Sequence, residues 1–523
     1  MVNLKALAIS TFFFVSSLAA SSNDWRSRSI YQLVTDRFAL TDGSGPACST
    51  GDRVYCGGTY QGIIHHLDYI QNMGFDAIWI SPVVSSFEGP SAYGEAYHGY
   101  WPQDLYSLNT HFGTGQDLKA LADALHKRNM YLMVDVVVNH LVSKASPPTF
   151  SSFNPLNEAS DFHTKCLITD YNNQTEVEQC WLGDDNLPLV DVNTENDEIV
   201  KTYYDWIKTL VGNYSVDGIR IDTVKHVRKD FWPGFASSSG VYTIGEVLHN
   251  ETSYVADYTN VLDAVLDYPT WFPLVAGFQT QFGNLSDLSR VITASQGAYK
   301  NGLFGTGSFL ENHDQPRFPS LSNDTARLKN AISFPFIHDG IPIVYYGQEQ
   351  GYTGGPDPAN REALWFSGYA QDKDLVQHIK TMNAARKAAI AANSRFLSVP
   401  MTFPLASETT LAVSKPPMLA LFTNAGVSGT ASWNLAKSGF NGNTRLIDVL
   451  SCTVVTTNSD GSLVANTTDG LPQIYLPVSA LPSSSNICTG KLGTGNSASG
   501  ITTSSLMVVG LATFAWLLME IGL

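Results

Sequence analysis

Residues 217–226 read DGIRIDTVKH. Ile219 and Ile221 alternate as the core face of a strand, and Arg220 and Asp222 fall between them. In a half-buried strand those two would face water. The surrounding stretch is apolar enough, however, for a strand buried on both faces, which is the mark of a parallel sheet. Residues two apart on a strand share a face, and buried charges persist only when paired. The pair therefore points to the end of a parallel strand that opens into a polar site.

Working outward, seven more segments have the same character. They are SIYQLVTDRF, FDAIWISPV, YLMVDVVVNH, VYTIGEVL, NVLDAVLD, LFGTGSFLENHD and IPIVYYGQE. Helical patterns lie between most of them, such as GIIHHLDYIQNMG, DLKALADALHKRN and ARLKNAISFPFIHDG. Strand–helix alternation repeated eight times predicts an α/β fold, a (β/α)8 TIM barrel, over residues 21–392. A polar segment rich in Pro, Ser and Asn, residues 141–195, interrupts the rhythm after strand 3. So long a loop predicts a functional insertion or a small subdomain. After about residue 393, TTLAVSK, MLALFTN and PQIYLPV alternate with turn residues, which predicts a C-terminal antiparallel β domain, a sandwich over 393–490.

Both termini read as processing signals. Lys5, an apolar run and small residues at Ala19 and Ala20 predict a signal peptide over 1–20. Small residues around Asn496, a polar spacer and an apolar tail from Leu506 predict a glycosylphosphatidylinositol (GPI) attachment signal over 491–523, with attachment near Asn496. A transmembrane helix is the alternative, but no basic residue follows Leu506. These signals predict an extracellular protein anchored to the plasma membrane or cell wall. Six cysteines then predict three disulfides among fifteen possible pairings. The spacings favour 48–56, 166–180 and 452–488. Six sequons start at Asn173, Asn213, Asn250, Asn284, Asn323 and Asn466; Asn213, beside the buried strand, is the one expected to escape modification. The net charge of −16 excludes a nucleic-acid partner, and an uncharged ligand fits better.

In such a barrel the active site lies at the C-terminal ends of the strands. The polar residues there are Asp135, Asn139 and His140 after strand 3, Arg220, Asp222, Lys225 and His226 after strand 4, Glu246 after strand 5, and Glu311, Asn312, His313 and Asp314 after strand 7. The loop after strand 2 adds His98, Tyr100 and Trp101. Three acids from three strand ends suit retaining glycoside hydrolysis, which needs two carboxylates about 5–5.5 Å apart. A neighbouring arginine would hold Asp222 ionised, and like charges in a buried pocket would keep a second acid protonated. Taken singly, each acid also reads as a helix cap or a structural ion pair, and Tyr93, Tyr100 and Trp101 as core aromatics.

DVVVNH, GIRIDTVKH, GEVL and FLENHD together resemble the four signature segments of the α-amylase family, glycoside hydrolase family 13. FDAIWISP, LVDVNT and GIPIVYYGQE resemble its secondary segments, and the likeness is to secreted fungal members over about 470 residues. The resemblance implies Asp222 as nucleophile, Glu246 as general acid/base and Asp314 as the acid that stabilises the transition state. It implies that Arg220 orients Asp222, that His140, His313, Tyr100, His98, Trp101 and Tyr93 line the sugar site, that Lys225 and His226 meet the leaving-group side, and that Asp357 and Arg361 hold the non-reducing side. It also implies a structural Ca2+ held by Asn139, Glu178, Asp191 and the backbone carbonyl of His226.

The chain departs from these relatives in three places. It has no cysteine between 180 and 452, it carries Asn193 where relatives often have Asp, and His249 and Asn250 follow GEVL where Asp-Gly is common. The expected function is an endo-acting retaining α-1,4-glucan hydrolase, working as a monomer on an α-glucan. The alternatives are a 4-α-glucanotransferase and a non-catalytic glucan-binding wall protein.

Overall fold

All eight apolar segments form strands, and all run parallel in one sheet. They are β1 (Ile30–Leu33), β2 (Ala77–Ile80), β3 (Tyr131–Val136), β4 (Gly218–Ile221), β5 (Tyr242–Gly245), β6 (Ala264–Val265), β7 (Gly307–Phe309) and β8 (Ile341–Tyr345). Their order is β6-β5-β4-β3-β2-β1-β8-β7, and a parallel bridge from Leu266 to Gly307 closes the ring. The sheet is therefore a (β/α)8 barrel. The computed structural model describes residues 20–144, 146–482 and 487–489. Residues 1–19 of the expected signal peptide and the whole expected anchor signal lie outside these.

The strands read as apolar runs because both faces are covered. Every residue of β1, β2, β4, β5 and β8 is buried. At β7 the packing is tighter still: a Cβ on Gly307 would stand 2.7 Å from Ile343 and 2.8 Å from Leu266. The helix expected over 62–74 is two short ones, Tyr60–His65 and Leu67–Asn72. The break falls at His66, whose ring stacks on Tyr369 at 3.8 Å.

The insertion after β3 carries a three-stranded antiparallel sheet, with strands at His140–Val142, Leu182–Gly183 and Pro188–Asp191. Its first strand begins at His140, so the insertion grows directly out of the site. After the barrel, a six-stranded antiparallel sheet and a two-stranded one enclose a separate core around Trp433, Leu421 and Leu446. Disulfides join Cys48–Cys56, Cys166–Cys180 and Cys452–Cys488. Asn213, expected to be sheltered, is exposed near the end of the helix Asp197–Tyr214.

Candidate active site

Arg220 lies inside the barrel mouth, 1% exposed. Its Nη1 donates to Asp135 at 3.0 and 3.1 Å and to Asp222 Oδ1 at 2.8 Å. Its Nη2 stands 3.0 Å from Glu246 Oε2. One guanidinium thus ties the ends of β3, β4 and β5 together, which explains the two charges in a buried strand. The rings of Trp79 and Tyr100 flank it at 5.3 and 5.8 Å.

Thr223, between the acids in the chain, locks them further. It holds φ 48° and ψ 39°, a left-handed conformation that costs a β-branched residue about 1–3 kcal/mol. Its N–H donates to Glu246 Oε2 at 3.0 Å and its hydroxyl to Asp222 Oδ2 at 3.1 Å. Gly245 lets Glu246 sit this close, because a Cβ there would stand 2.5 Å from Leu262 and 2.9 Å from Val224.

The electrostatics separate the acids. Burial pushes the Glu246 carboxyl up to about 8, against the pull of Arg220 and with repulsion from Asp222 and Asp314 added. A proton therefore stays on Glu246 at neutral pH. Burial likewise pushes Asp135 up to about 7, opposed first by Arg220. Yet Arg220, Trp79 Nε1 and the Tyr100 hydroxyl all donate to Asp135, the latter two at 3.0 and 2.7 Å. With donors on both oxygens, Asp135 acts as an acceptor that orients Arg220. Asp314 is more open, its side chain 37% exposed, with His313 Nε2 at 3.2 Å and Arg361 Nη2 at 3.5 Å.

The expected sugar-site residues converge here. His313 stacks on Tyr100 at 4.9 Å and 6°, and Gln32 of β1 holds its Nδ1 at 2.8 Å. His140 Nε2 meets the Tyr100 carbonyl at 3.2 Å. Burial lowers the pKa of both histidines, so each stays neutral. His98 Nδ1 accepts the Tyr100 N–H at 3.0 Å, and its ring meets Trp101 edge-on at 4.4 Å. Arg361 pairs with Asp357 at 3.0 Å and donates to the His313 carbonyl at 3.1 Å. Lys225 and His226 line a cavity of about 240 Å³ beside Glu246. The Tyr93 hydroxyl is bound to Asp184 of the insertion.

Sequence reasoning missed several contributors. Asp135 stood at the strand end without a role, and Gln32 and Thr223 carried no signal except their neighbours. Glu311, also at a strand end, faces away from the three acids and pairs with Arg317 at 3.3 Å. Tyr171 and Leu248 share the cavity next to Glu246; Tyr171 sits in the insertion, which sequence periodicity cannot place.

The expected calcium ligands meet only in part. One terminal atom of the Asn139 amide lies 2.9 Å from Asp191 Oδ1 and 2.9 Å from the His226 carbonyl oxygen. With nitrogen in that position these are hydrogen bonds. With oxygen there, three oxygens converge as a hard cation requires. The Glu178 carboxylate turns instead to Gln174 Nε2, at 2.7 Å. Among the described residues no group of three His, Cys, Asp or Glu side chains could hold a metal, so any cation here relies on the Asn139 amide and His226 carbonyl oxygens beside the Asp191 carboxylate.

Known proteins resemble this chain in sequence and fold. Residues 32–395 match the family "Alpha amylase, catalytic domain", and residues 405–496 match "Alpha-amylase, domain C". "Alpha-amylase 2" of Schwanniomyces occidentalis is 45% identical over 93% of this chain and 97% of its own length. "Alpha-amylase" of Saccharomycopsis fibuligera is 42% identical over 94% and 98%. The solved α-amylase of Malbranchea cinnamomea superposes with a TM-score of 0.87 at 44% identity, covering 90% of this chain and all of that one.

Proposed function

This chain belongs to the α-amylase family, and on that premise we propose that it is an endo-acting, retaining hydrolase of α-1,4-glucosidic bonds. The observation that carries the reading is the single Arg220 guanidinium binding Asp222 and Glu246 through its two terminal nitrogens. One guanidinium shared by two carboxylates holds them side by side, as a retaining pair requires.

In the proposed sequence, Asp222 attacks the anomeric carbon as Glu246 gives its proton to the departing glycosidic oxygen. A glycosyl ester on Asp222 results. Glu246, now a carboxylate, takes a proton from water, and the resulting hydroxide releases the sugar and restores Asp222. Asp314 stabilises the charge that builds on the ring, with Arg361 fixing its position. Neutral His140 and His313 serve as hydrogen-bonding groups for the sugar at the cleavage point, with Tyr100, His98 and Trp101 around it. Asp357 and Arg361 take the non-reducing side; Lys225, His226, Tyr171 and Leu248 take the leaving-group side.

The Asn139–Asp191–His226 cluster fits Ca2+, which would pin the insertion to the end of β4. The meeting of the Asn139 amide, Asp191 Oδ1 and the His226 carbonyl oxygen at one point supports that reading. The sequence signals support secretion and a GPI anchor; among the described residues no helix is long and apolar enough to cross a membrane.

Transfer to a sugar acceptor is the second reading. It is favoured by the cavity beside Glu246, where Tyr171 and Leu248 offer a platform, and by His249 and Asn250 following it. Purified protein incubated with end-labelled maltoheptaose decides between them. Labelled products shorter than the heptamer support hydrolysis. Labelled chains longer than the heptamer overturn it in favour of 4-α-glucanotransfer. No turnover with calcium present overturns both.

A further inference from the structure

The cavity beside Glu246 is assembled from three separate parts of the chain. Lys225 and His226 follow β4, Leu248 follows β5, and Tyr171 comes from the insertion after β3. Glu246 forms the floor, 8% exposed, and Leu248 and Tyr171 form the outer walls, 37% and 58% exposed. A chain departing from Glu246 therefore meets those walls with the units beyond its first. Among the described residues no strand pairing joins the two walls, so side chains must set their separation.

Gln174 is placed to do so. It opens the helix Gln174–Gln179, three residues after Tyr171. Its Nε2 donates to Glu178 Oε1 at 2.7 Å and to the Lys225 carbonyl at 3.0 Å, and its Oε1 accepts the Tyr254 hydroxyl at 2.7 Å. Tyr254, on the helix Thr252–Tyr258, stacks on His249 at 4.2 Å and 26°. His249 adjoins Leu248, whose carbonyl accepts from Lys225 Nζ at 2.9 Å. That ammonium lies 5.4 Å from the centre of the Tyr171 ring. The contacts thus close a circuit around the cavity, from Tyr171 through Gln174, Tyr254, His249, Leu248 and Lys225. His226 also ties the insertion helix to the end of β4, its Nδ1 meeting the Val177 carbonyl at 3.1 Å, but that bond does not reach the segment after β5. The Gln174 bonds do. They use both N–H donors and the carbonyl of one amide; a carboxylate in its place would face Glu178 and the Lys225 carbonyl with no proton to give.

We propose that Gln174 is a positioning residue for the leaving-group side. It holds the Tyr171 and Leu248 walls at the separation that grips the second and later glucose units of the departing chain. The inference rests on the glucan hydrolase reading and adds a determinant of where the chain is cut. Gln174 does not line the cavity, so it acts through the walls and not on the sugar.

The test is the cleavage pattern of maltoheptaose labelled at its reducing end, taken to low conversion in excess calcium. Each labelled fragment counts the units that lay on the leaving-group side. The ratio of labelled maltose and longer fragments to labelled glucose therefore reads the grip of the outer walls. In Gln174→Ala this ratio falls about threefold or more, as expected for losing one or two hydrogen bonds, and Gln174→Glu, of the same size, does not restore it. Both changes leave the sequon at Asn173 intact. Tyr254→Phe removes the hydroxyl while keeping the ring on His249, and lowers the ratio in the same direction. Added to Gln174→Ala it causes no further fall, because both changes cut one link. An unchanged ratio in Gln174→Ala overturns the proposal, even if kcat/KM falls, because Gln174 would then only brace the fold. A ratio restored by Gln174→Glu, or an additive fall in the double variant, also overturns it. Should Gln174→Ala fail to fold, an unchanged ratio in Tyr254→Phe overturns it instead. Absence of turnover in the wild-type protein refutes the glucanase reading and this inference with it, whereas an unchanged ratio in active variants overturns this inference alone.

Discussion

Replacing Asp314 with Asn moves the alkaline limit of activity to lower pH. Glu246 is the proton donor in the proposed mechanism, and its carboxyl is pushed up to about 8, chiefly by burial. At the ordinary value of 4.5, about one molecule in 300 would hold the proton at pH 7; at about 8, roughly nine in ten do. The pocket thus raises the competent fraction by a factor of about 300. Asp222 and Asp314 each contribute repulsion, and Arg220 works against them. Removing the Asp314 charge leaves Glu246 easier to ionise. A nearby like charge is worth up to a pH unit or more, but Asp314 is partly exposed, and solvent screening reduces its share to about half a unit. The assay is kcat/KM on maltoheptaose from pH 5 to 10, with unfolding followed at each pH. The Asp314→Asn enzyme is slower throughout, and its alkaline limb lies about half a unit below that of the parent. Glu246→Gln abolishes the limb. A limb that stays in place or moves to higher pH in Asp314→Asn, with the fold intact, refutes the electrostatic account.

The same carboxyl has a stability consequence. Between about 4.5 and about 8 the native state keeps a proton that the unfolded chain has released. The unfolded state then binds fewer protons than the native one, so stability falls as pH rises. Glu246→Gln has no such loss; its Tm relative to wild type rises from pH 4 to pH 9, by up to a few kcal/mol of stability at about 1.4 kcal/mol per tenfold change in proton affinity. A relative Tm that is flat across that range counts against a raised Glu246. Thr223→Gly removes the left-handed strain of about 1–3 kcal/mol but also the hydroxyl on Asp222, so its Tm holds or rises while kcat falls about tenfold. A lower Tm with full kcat would contradict this. Calcium at 100 times its Kd adds about 2.7 kcal/mol, so a chelator lowers Tm in wild type and does nothing in Asp191→Asn; equal chelator responses rule out the site.

The barrel was legible because its strands are fully buried and short, so each stood out as an apolar run ended by polar residues at one end. The acids were legible for the same reason: they interrupt or end such runs. What stayed hidden is what periodicity does not encode. Asp135 has the same sequence signature as Asp222, yet only three-dimensional placement shows one saturated with donors and the other facing the cleft. Glu311 sits three residues from Asp314 and turns the opposite way to meet Arg317. Thr223 reads as an ordinary residue beside an acid, and only its backbone angles reveal that it binds both carboxylates. Tyr171 lies in an insertion with no repeating pattern, so nothing in its local sequence brings it to Glu246.

These hidden residues have one thing in common. Apart from Glu311, each meets Asp222 or Glu246, or the arginine between them, through geometry and not through its own titration or nucleophilicity. Arg220 reaches three carboxylates only because β3, β4 and β5 are adjacent, and that adjacency follows from the strand order. The sequence therefore discloses the candidate acids, whereas the fold discloses what sets their environments apart. Glu246 suits the proposed role of acid because it is the buried carboxyl held between an arginine and two like charges, and the same carboxyl moved to the surface would have lost its proton near 4.5.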